Sequence, residues 1–267
     1  MKKINKKLSI IKYGSNVLVK KNVAGSFSID SNVIKDHGLI IDKQNNPVLM
    51  VSSGAVAFGK TMASYDSIKD ETIQKRILAS LGNPHLTMNW DKAIADKKVL
   101  QGLITHMDLS MEHPKKSLKK IITSIYQDSL KSVIQINDND FVSGEELKIL
   151  RGGEFGDNDK MTVMLAELCS QIFKEVEVIF NTSSDGVVKD HKTIPKIRGK
   201  NLNKKTISEL CTLKKSEHGT GGMVTKLHVI SELFKKKSNI PVYIVNGKKP
   251  EQLKKVLAGK KAGTKVC

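Results

Sequence analysis

The sequence predicts an α/β fold in which helices cover both faces of a mainly parallel sheet, as a three-layer αβα sandwich. Two observations lead to this prediction. Several short apolar runs end at glycine or at polar residues, which is typical of buried parallel strands. Helical patterns lie between most of these runs, and an alternation of strands and helices implies a parallel sheet with helices on both faces.

The predicted strands follow one another along the whole chain. They cover LSIIKYGS (8–15), PVLMVSSG (47–54), KVLQGLIT (98–105), SVIQIND (132–138), VEVIFNTS (176–183) and IPVYIVNG (240–247). The predicted helices cover 71–81, 114–127, 159–174 and 223–237. The segments KYGS, SSGAVAFG, NDND, NTSSDG and VNGKK all follow apolar strands. Because ligands bind beyond the carboxyl ends of parallel strands, we expect all five segments to open on the same edge of the sheet.

Composition narrows the classes of partner. The 267 residues are enough for one large α/β domain or two small ones. A formal net charge of +18 raises the question of a nucleic-acid partner. The lysines are dispersed, however, and aromatic residues make up only 4% of the chain, so surfaces for base stacking are not expected. We therefore interpret the charge as a lysine-rich surface that favours anionic substrates, and not as a nucleic-acid site.

The chain shows no signal for a membrane or for secretion. It has no apolar run of roughly 18 residues, the length that indicates a membrane span. The apolar part of the N-terminal segment is too short for a signal peptide, and Lys12 interrupts it. Neither the three cysteines nor the seven histidines have metal-ligand spacing. We predict a cytoplasmic protein with reduced thiols and no metal site built from its own side chains.

The stretch GEFGDNDKMTVMLAEL places three polar residues, Asp157, Asn158 and Asp159, between a glycine turn and a helical pattern. Asp and Asn are good N-caps, but one such residue is enough to cap a helix. A second cluster, INDNDF at 136–141, lies just upstream. Two carboxylate-and-amide clusters so close together can position a small polar substrate or hold cationic groups.

Two lysines stand where a lone cation would be costly. Lys12 interrupts an otherwise apolar strand, and a buried lysine needs a partner. Lys226 follows the glycine-rich HGTGGMVTK, at the predicted start of a helix, where a cation is disfavoured unless an anion is present. An edge or snorkelling position for Lys12 and a flexible surface loop around 218–226 stay open as alternatives, and SSGAVAFGK at 52–60 is open to a packing role.

These residues together suggest one arrangement. A carboxylate between two ammonium groups would hold both in place, and the lysines would then stabilise charge on a transferred phosphoryl group. In this interpretation Asp157 is the candidate cap, Asn158 the candidate substrate ligand and Asp159 the residue that organises the lysines.

The motifs KYGS, VSSGAVAFG, QINDND, FGDND and GTGGMVTK, in this order, resemble the amino-acid kinase family over almost the whole chain. The resemblance implies one domain over residues 1–267, whose N-terminal part binds the acceptor and whose C-terminal part binds the nucleotide. It is strongest to members that use ATP and Mg²⁺ to phosphorylate the γ-carboxylate of L-glutamate, the first step of proline synthesis. It also implies a dimer or tetramer and feedback inhibition by proline.

Roles carry over from the resemblance residue by residue. It implies that Lys12 and Lys226 stabilise the phosphoryl group and that Asp159 orders them. The implied acceptor-binding residues are Ser53, Gly54, Asp140 and Asn158, and Gly14 and Gly54 lie in turns near the transferred phosphate. The remaining implied nucleotide-binding residues are Thr182, Ser183, Thr220, Gly221, Gly222 and Met223.

The chain also departs from the family pattern. Ser183 replaces the usual Asp, KDHKTI stands where the family has Asp-Pro-Arg, and the link between the two acidic clusters is longer than usual. Many relatives continue into a small RNA-binding-like domain, which we expect to be missing here. Another carboxylate, a carbamate or a phosphate as acceptor, and a non-catalytic amino-acid sensor of the same fold, stay open as alternatives. A phosphate acceptor would call for an arginine-rich pocket, and no arginine lies in these motifs.

Overall fold

An eight-stranded, mainly parallel sheet lies at the centre of the computed structural model, which describes residues 3–21, 27–127, 131–142, 157–211, 220–236 and 239–267. The strands are β1 (Ile4–Tyr13), β2 (Val19–Lys21), β3 (Phe27–Ile29), β4 (Val48–Ser52), β5 (Lys98–Ile104), β6 (Ser132–Asp138), β7 (Phe173–Thr182), β8 (Val188–Lys189), β9 (Lys192–Thr193), β10 (Lys196–Ile197), β11 (Val242–Asn246) and β12 (Thr264–Val266). The order in the large sheet is β10-β12-β11-β7-β1-β4-β6-β5, and β2-β3 and β8-β9 form small hairpins. In the large sheet β11 and β12 pair antiparallel, whereas the other neighbouring strands of the described residues pair parallel.

Helices cover both faces of this sheet. They are α1 (Ser15–Leu18), α2 (Ser31–Asp42), α3 (Ala55–Lys60), α4 (Glu71–Ala93), α5 (His106–Ser110), α6 (Glu112–Gln127), α7 (Asp157–Cys169), α8 (Lys204–Cys211), α9 (Thr220–Lys235) and α10 (Pro250–Leu257). None of the helices in the described ranges combines the length and the apolar character needed to cross a membrane.

Alternate side chains of β1 separate the core into two layers. Leu8 and Ile10 pack into a cluster that includes side chains of α6, α7 and α9. Ile11 and Tyr13 face the opposite side and pack into a cluster that includes side chains of α2, α4 and α10. Successive residues of a strand point to opposite faces, so one fully buried strand supplies both layers. The predicted three-layer αβα sandwich is therefore confirmed.

All six predicted strands are present, with ends that differ from the prediction by up to four residues. The helices differ more. Helix α4 runs to Ala93, well past the predicted end at 81, although Gly82 and Pro84 disfavour a helix interior. A side chain at Gly82 would overlap the carbonyl oxygen of Ala55, so this glycine lets the backbones of α3 and α4 pack directly together.

The chain order around β1 determines where a ligand can bind. After β1 the chain forms β4, β5 and β6 on one side of β1, and then β7, β10, β11 and β12 on the other side. The strand order thus reverses beside β1, and in open α/β sheets such a switch point creates a crevice at the carboxyl ends of the strands.

Candidate active site

The carboxyl ends of the central strands open into one cleft of about 800 Å³. The parallel register sets Tyr13 of β1 beside Ser52 of β4 and beside Asn181 of β7, and Asn246 of β11 beside Thr182. Strand β6 runs parallel to β4, so NDND opens on the same edge as the other four polar segments. The prediction that these segments share one edge is confirmed.

Lys12, Asp159 and Lys226 form a buried ion triad in this cleft. Lys12 Nζ lies 2.7 Å from Asp159 Oδ1, and Lys226 Nζ donates to Asp159 Oδ2 at 2.6 Å. The three residues are only 7%, 5% and 7% exposed. They come from β1, α7 and α9, so the carboxylate joins both halves of the sheet edge. The alternative that Lys12 occupies an edge or snorkels to solvent is therefore excluded.

Charge within the triad is unevenly compensated. Burial alone would raise the pKa of Asp159, but the charges and hydrogen bonds of both lysines outweigh burial and lower this pKa. Burial and the neighbouring Lys12 charge lower the pKa of Lys226 to about 8, although Asp159 opposes this shift. Two positive charges against one negative charge leave a net positive site, suited to an anion.

Lys226 lies in the second turn of α9, because this helix begins at Thr220 and not at 223. The prediction that Lys226 stands at a helix start is wrong, and the argument from the helix dipole does not hold for it. Its charge is explained by Asp159 and by the ring of Phe180, whose centroid lies 5.0 Å from Nζ.

Asn158 and Ser53, two of the predicted acceptor ligands, contact each other. Asn158 Nδ2 donates to Ser53 Oγ at 3.0 Å and to Asn137 Oδ1 at 3.1 Å. Asn137 Nδ2 in turn donates to Asn83 Oδ1 at 2.7 Å, which anchors this amide chain on α4. Sequence reasoning assigned no role to Asn137 or Asn83; the signal was a polar residue at a strand end and an Asn beside Pro84 within a helix.

Asp140 lies half-buried in the loop that follows β6. Burial and the neighbouring Asp138 charge raise the pKa of Asp140 to about 6, and the positive charge of Arg76 opposes this rise. Arg76 comes from α4, and its Nη2 donates to the carbonyl oxygen of Phe141. An arginine therefore stands at this end of the site, which the motifs in the sequence did not indicate.

Of the two predicted glycine turns, the one at Gly14 lies next to the triad. Gly54 has φ of 110°, a left-handed conformation that glycine adopts without strain, and it precedes the first residue of α3. A side chain at Gly14 would come within 3.9 Å of Lys12 Nζ. The N–H of Gly14 donates to the carbonyl oxygen of Asn181 at 3.3 Å, so this turn is held by β7.

The structure describes the surroundings of some of the predicted nucleotide-binding residues. Thr182, Ser183, Gly222 and Met223 line the same cleft as the triad. The hydroxyl of Thr182 donates to carbonyl oxygens of Ser184 and Val245, so it holds the strand end in place. For Thr220, Gly221 and Asp157 the structure describes the place in a helix and not the side chain. The alternative of a flexible loop over 218–226 does not hold from 220 onwards, where the chain is helical, and residues 218 and 219 lie outside the described residues.

Where the resemblance leads one to expect Asp-Pro-Arg, the structure has the tight β8–β9 hairpin. Its turn residues Asp190 and His191 have φ of 51° and 60°, and both line the cleft. Two consecutive positive φ angles match the type I′ turns that suit two-residue hairpins. The residues at this departure from the family pattern therefore help to form the cleft.

Comparison with known proteins places this chain in a family. The model of the "Amino acid kinase family" matches residues 7–246. The chain is 30% identical to the glutamate 5-kinase of Desulfotalea psychrophila over 96% of this chain and 65% of that protein. It is 27% identical to glutamate 5-kinase 1 of Pseudoalteromonas translucida over 99% of this chain and 68% of that protein. The chain thus spans about two thirds of the length of these relatives.

Solved structures agree on the fold. A uridylate kinase from Archaeoglobus fulgidus has a TM-score of 0.57 at 15% identity, covering 97% of this chain and 99% of that one. An isopentenyl phosphate kinase has a TM-score of 0.57 at 14% identity, covering 97% of this chain and all of that one. At such identities the likeness shows the fold alone. The match of the family model over residues 7–246 establishes that the chain belongs to the amino acid kinase family.

Proposed function

We propose that this chain transfers the γ-phosphoryl group of ATP to the γ-carboxylate of L-glutamate, the reaction of a glutamate 5-kinase. The observation that carries the proposal is the buried Lys12–Asp159–Lys226 triad, which lines one cleft together with Ser53, Thr182 and Gly222. The glutamate 5-kinases among its relatives support the choice of acceptor.

The triad suits in-line phosphoryl transfer without a covalent enzyme intermediate. In such a transfer, charge spreads over the oxygens of the phosphoryl group, and catalysis is mostly positioning and electrostatic stabilisation. Asp159 holds both ammonium groups in ion pairs of 2.6–2.7 Å. Because the lysines are already oriented, they stabilise the developing charge without reorganising during the reaction.

The acceptor end suits an amino acid better than a phosphate ester. Asp138 and Asp140 place two carboxylates beside this end, and either would repel a phosphate while attracting an ammonium group. Asn158, which directly precedes Asp159, donates to Ser53 Oγ and to Asn137 Oδ1, and this Asn137 oxygen also accepts from the N–H of Asp138. The reacting carboxylate would bind near Ser53 and Asn158. This arrangement favours glutamate over the nucleotide or lipid phosphates of the structural neighbours.

Magnesium fits this site as part of a metal–nucleotide complex. The described residues include no group of three His, Cys, Asp or Glu side chains that would hold a metal, and both oxygens of Asp159 contact lysines. Mg²⁺ usually keeps several waters and binds through substrate phosphates, so no protein cage is required. When bound, it neutralises charge on the phosphates. The lysines and the residues lining the nucleotide end orient the rest of the nucleotide.

A non-catalytic sensor of the same fold is the second candidate, but the triad argues against it. Burying three charges is costly, and replacing such a cluster with apolar residues is often neutral or stabilising. A protein that only binds an amino acid has no need to keep it. Assembly into a dimer or tetramer, inhibition by proline and a cytoplasmic location stay predictions.

A coupled assay for ADP formation tests the proposal. We expect ADP to form with L-glutamate and Mg²⁺–ATP, and hydroxylamine to trap the unstable acyl phosphate as a hydroxamate. UMP, isopentenyl phosphate and L-aspartate serve as competing acceptors. ADP formation with one of these and not with glutamate would refute the proposed acceptor, and no ADP formation with any of them would favour a sensor.

A further inference from the structure

Helix α4 meets the loop after β6 at Arg76. This residue lies in the second turn of α4, and its guanidinium donates to the carbonyl oxygen of Phe141. Phe141 directly follows Asp140, so one hydrogen bond ties the arginine to the loop that carries this carboxylate. Arg76 is half-buried and thus still reaches solvent beside this loop.

The opposite charges of Arg76 and Asp140 are close but not joined. The positive charge of Arg76 acts on Asp140 strongly enough to shift its titration. Among the described residues, however, the ion pairs within 4.0 Å do not include one between these two side chains. A guanidinium has five N–H donors, and the bond to Phe141 uses one nitrogen. A cation and an anion held near each other in this way are complementary to a zwitterion.

We propose that Arg76 is a specificity-determining residue that binds the α-carboxylate of the amino-acid acceptor, while Asp140 binds its α-ammonium group. The planar guanidinium matches a carboxylate in two parallel hydrogen bonds, which an ammonium group cannot do. With its head group held there, glutamate directs its side-chain carboxylate away from Arg76 and towards Ser53, Asn158 and the triad. This inference rests on the proposed function and names which part of the substrate each charge recognises.

A structural role is the competing explanation, in which Arg76 only holds the loop at Phe141. The two explanations are distinguished by removing the arginine from the protein and, separately, the α-carboxylate from the ligand. We would measure binding by isothermal titration calorimetry, with a non-hydrolysable ATP analogue present. The ligands are L-glutamate, 4-aminobutyrate, which lacks the α-carboxylate, and glutarate, which lacks the α-ammonium group.

Wild type should bind glutamate more tightly than 4-aminobutyrate by roughly 10- to 150-fold, as expected for loss of a charge-assisted hydrogen bond. Arg76→Gln should weaken glutamate binding by a similar factor and leave 4-aminobutyrate almost unchanged, so that this preference disappears. The preference over glutarate should persist, because Asp140 is intact. Lys75→Gln is the matched control, since Lys75 is its neighbour on α4 and pairs with Glu71 on the surface. It should keep both preferences.

Equal weakening of all three ligands by Arg76→Gln would show that the arginine only supports the loop and would overturn the inference, as would a wild type that does not distinguish glutamate from 4-aminobutyrate. If Arg76→Gln does not fold, Arg76→Lys decides, because it keeps the charge and loses the planar fork. The preference of Arg76→Lys for glutamate over 4-aminobutyrate must then be several-fold smaller than that of wild type. Binding does not require catalysis, so Arg76-dependent glutamate binding without ADP formation would refute the proposed function alone.

Discussion

Replacement of Asp159 by Asn is the most informative perturbation of the site. The two side chains have nearly the same shape, so the change removes the charge and keeps the volume. In the structure each oxygen of Asp159 contacts one lysine, at 2.7 Å for Lys12 and 2.6 Å for Lys226. The amide of Asn can accept a hydrogen bond from only one of them, and its NH₂ group would face the other ammonium group.

The structure sets the expected magnitudes. Removing one partner of a buried ion pair typically costs about 3–5 kcal/mol of folding stability, because a charge is left buried without a counter-ion. Lys226 already has a pKa near 8 with Asp159 in place. Without the carboxylate this pKa should fall further, and Lys226 should lose its proton near neutral pH. Loss of one preorganised charge predicts a decrease in kcat of about 10²–10³-fold.

A pH profile separates this mechanism from simple unfolding. Lys226 must be protonated to stabilise the phosphoryl group, so activity should fall as the pH rises through its pKa. We expect kcat/KM for ATP to fall above about pH 8 in wild type, and at lower pH in Asp159→Asn. Melting temperatures and circular dichroism would establish that the variant is folded under the conditions of the assay.

Asp30→Asn is the matched control for this experiment. Asp30 is also a buried carboxylate between two lysines, Lys20 at 3.0 Å and Lys248 at 2.9 Å. It should lower stability while changing kcat far less than Asp159→Asn. A folded Asp159→Asn enzyme with near-normal kcat and an unshifted pH profile would refute the assignment of Asp159 as the residue that orders the lysines.

Four further predictions concern three single residues. Asp140→Asn should raise the KM for glutamate roughly 10- to 150-fold and leave the KM for ATP almost unchanged; steady-state kinetics would detect an equal effect on both, which contradicts the assignment. Because the pKa of Asp140 is raised to about 6 and its charged form must hold an ammonium group, kcat/KM for glutamate should increase with pH through about 6 in wild type and not in Asp140→Asn. Ser183→Asp should increase the affinity for ATP or the preference for ATP over GTP. Titrations with ATP and GTP that show no increase in either would contradict this prediction. Gly82→Ala should lower the melting temperature, since the added methyl group would overlap the carbonyl oxygen of Ala55; unchanged stability would mean that α3 and α4 separate freely.

Much of the fold was predictable because it depends on local pattern. Short apolar runs that end at polar residues identified the six main strands, and the parallel-sheet rule identified the edge that carries the site. The end of α4 was not predictable in this way. Gly82 and Pro84 disfavour a helix locally, but packing of Gly82 against α3 and burial of Leu86 and Trp90 keep the helix continuous. Tertiary contacts thus override a weak local preference.

The triad was predictable for a different reason. A lysine inside an apolar strand requires a negative partner, and the three polar residues at 157–159 exceed what one cap needs. This requirement for a negative partner predicted the pairing of Lys12 with Asp159, although the two residues are far apart in the chain. The predicted place of Lys226 within its helix was wrong, because the glycines before Lys226 weaken the sequence signal for a helix start at Thr220.

By itself, then, the sequence determined the sheet, its functional edge and the residue types that phosphoryl transfer requires. Only the tertiary structure decided how these side chains meet others outside the motifs. Arg76 reaches the loop of Asp140, and Asn83 reaches Asn137, because packing of α4 brings distant parts of the chain together. No local pattern announces such contacts, since a half-buried arginine and an asparagine within a helix have many possible partners. The folded arrangement selects one partner for each.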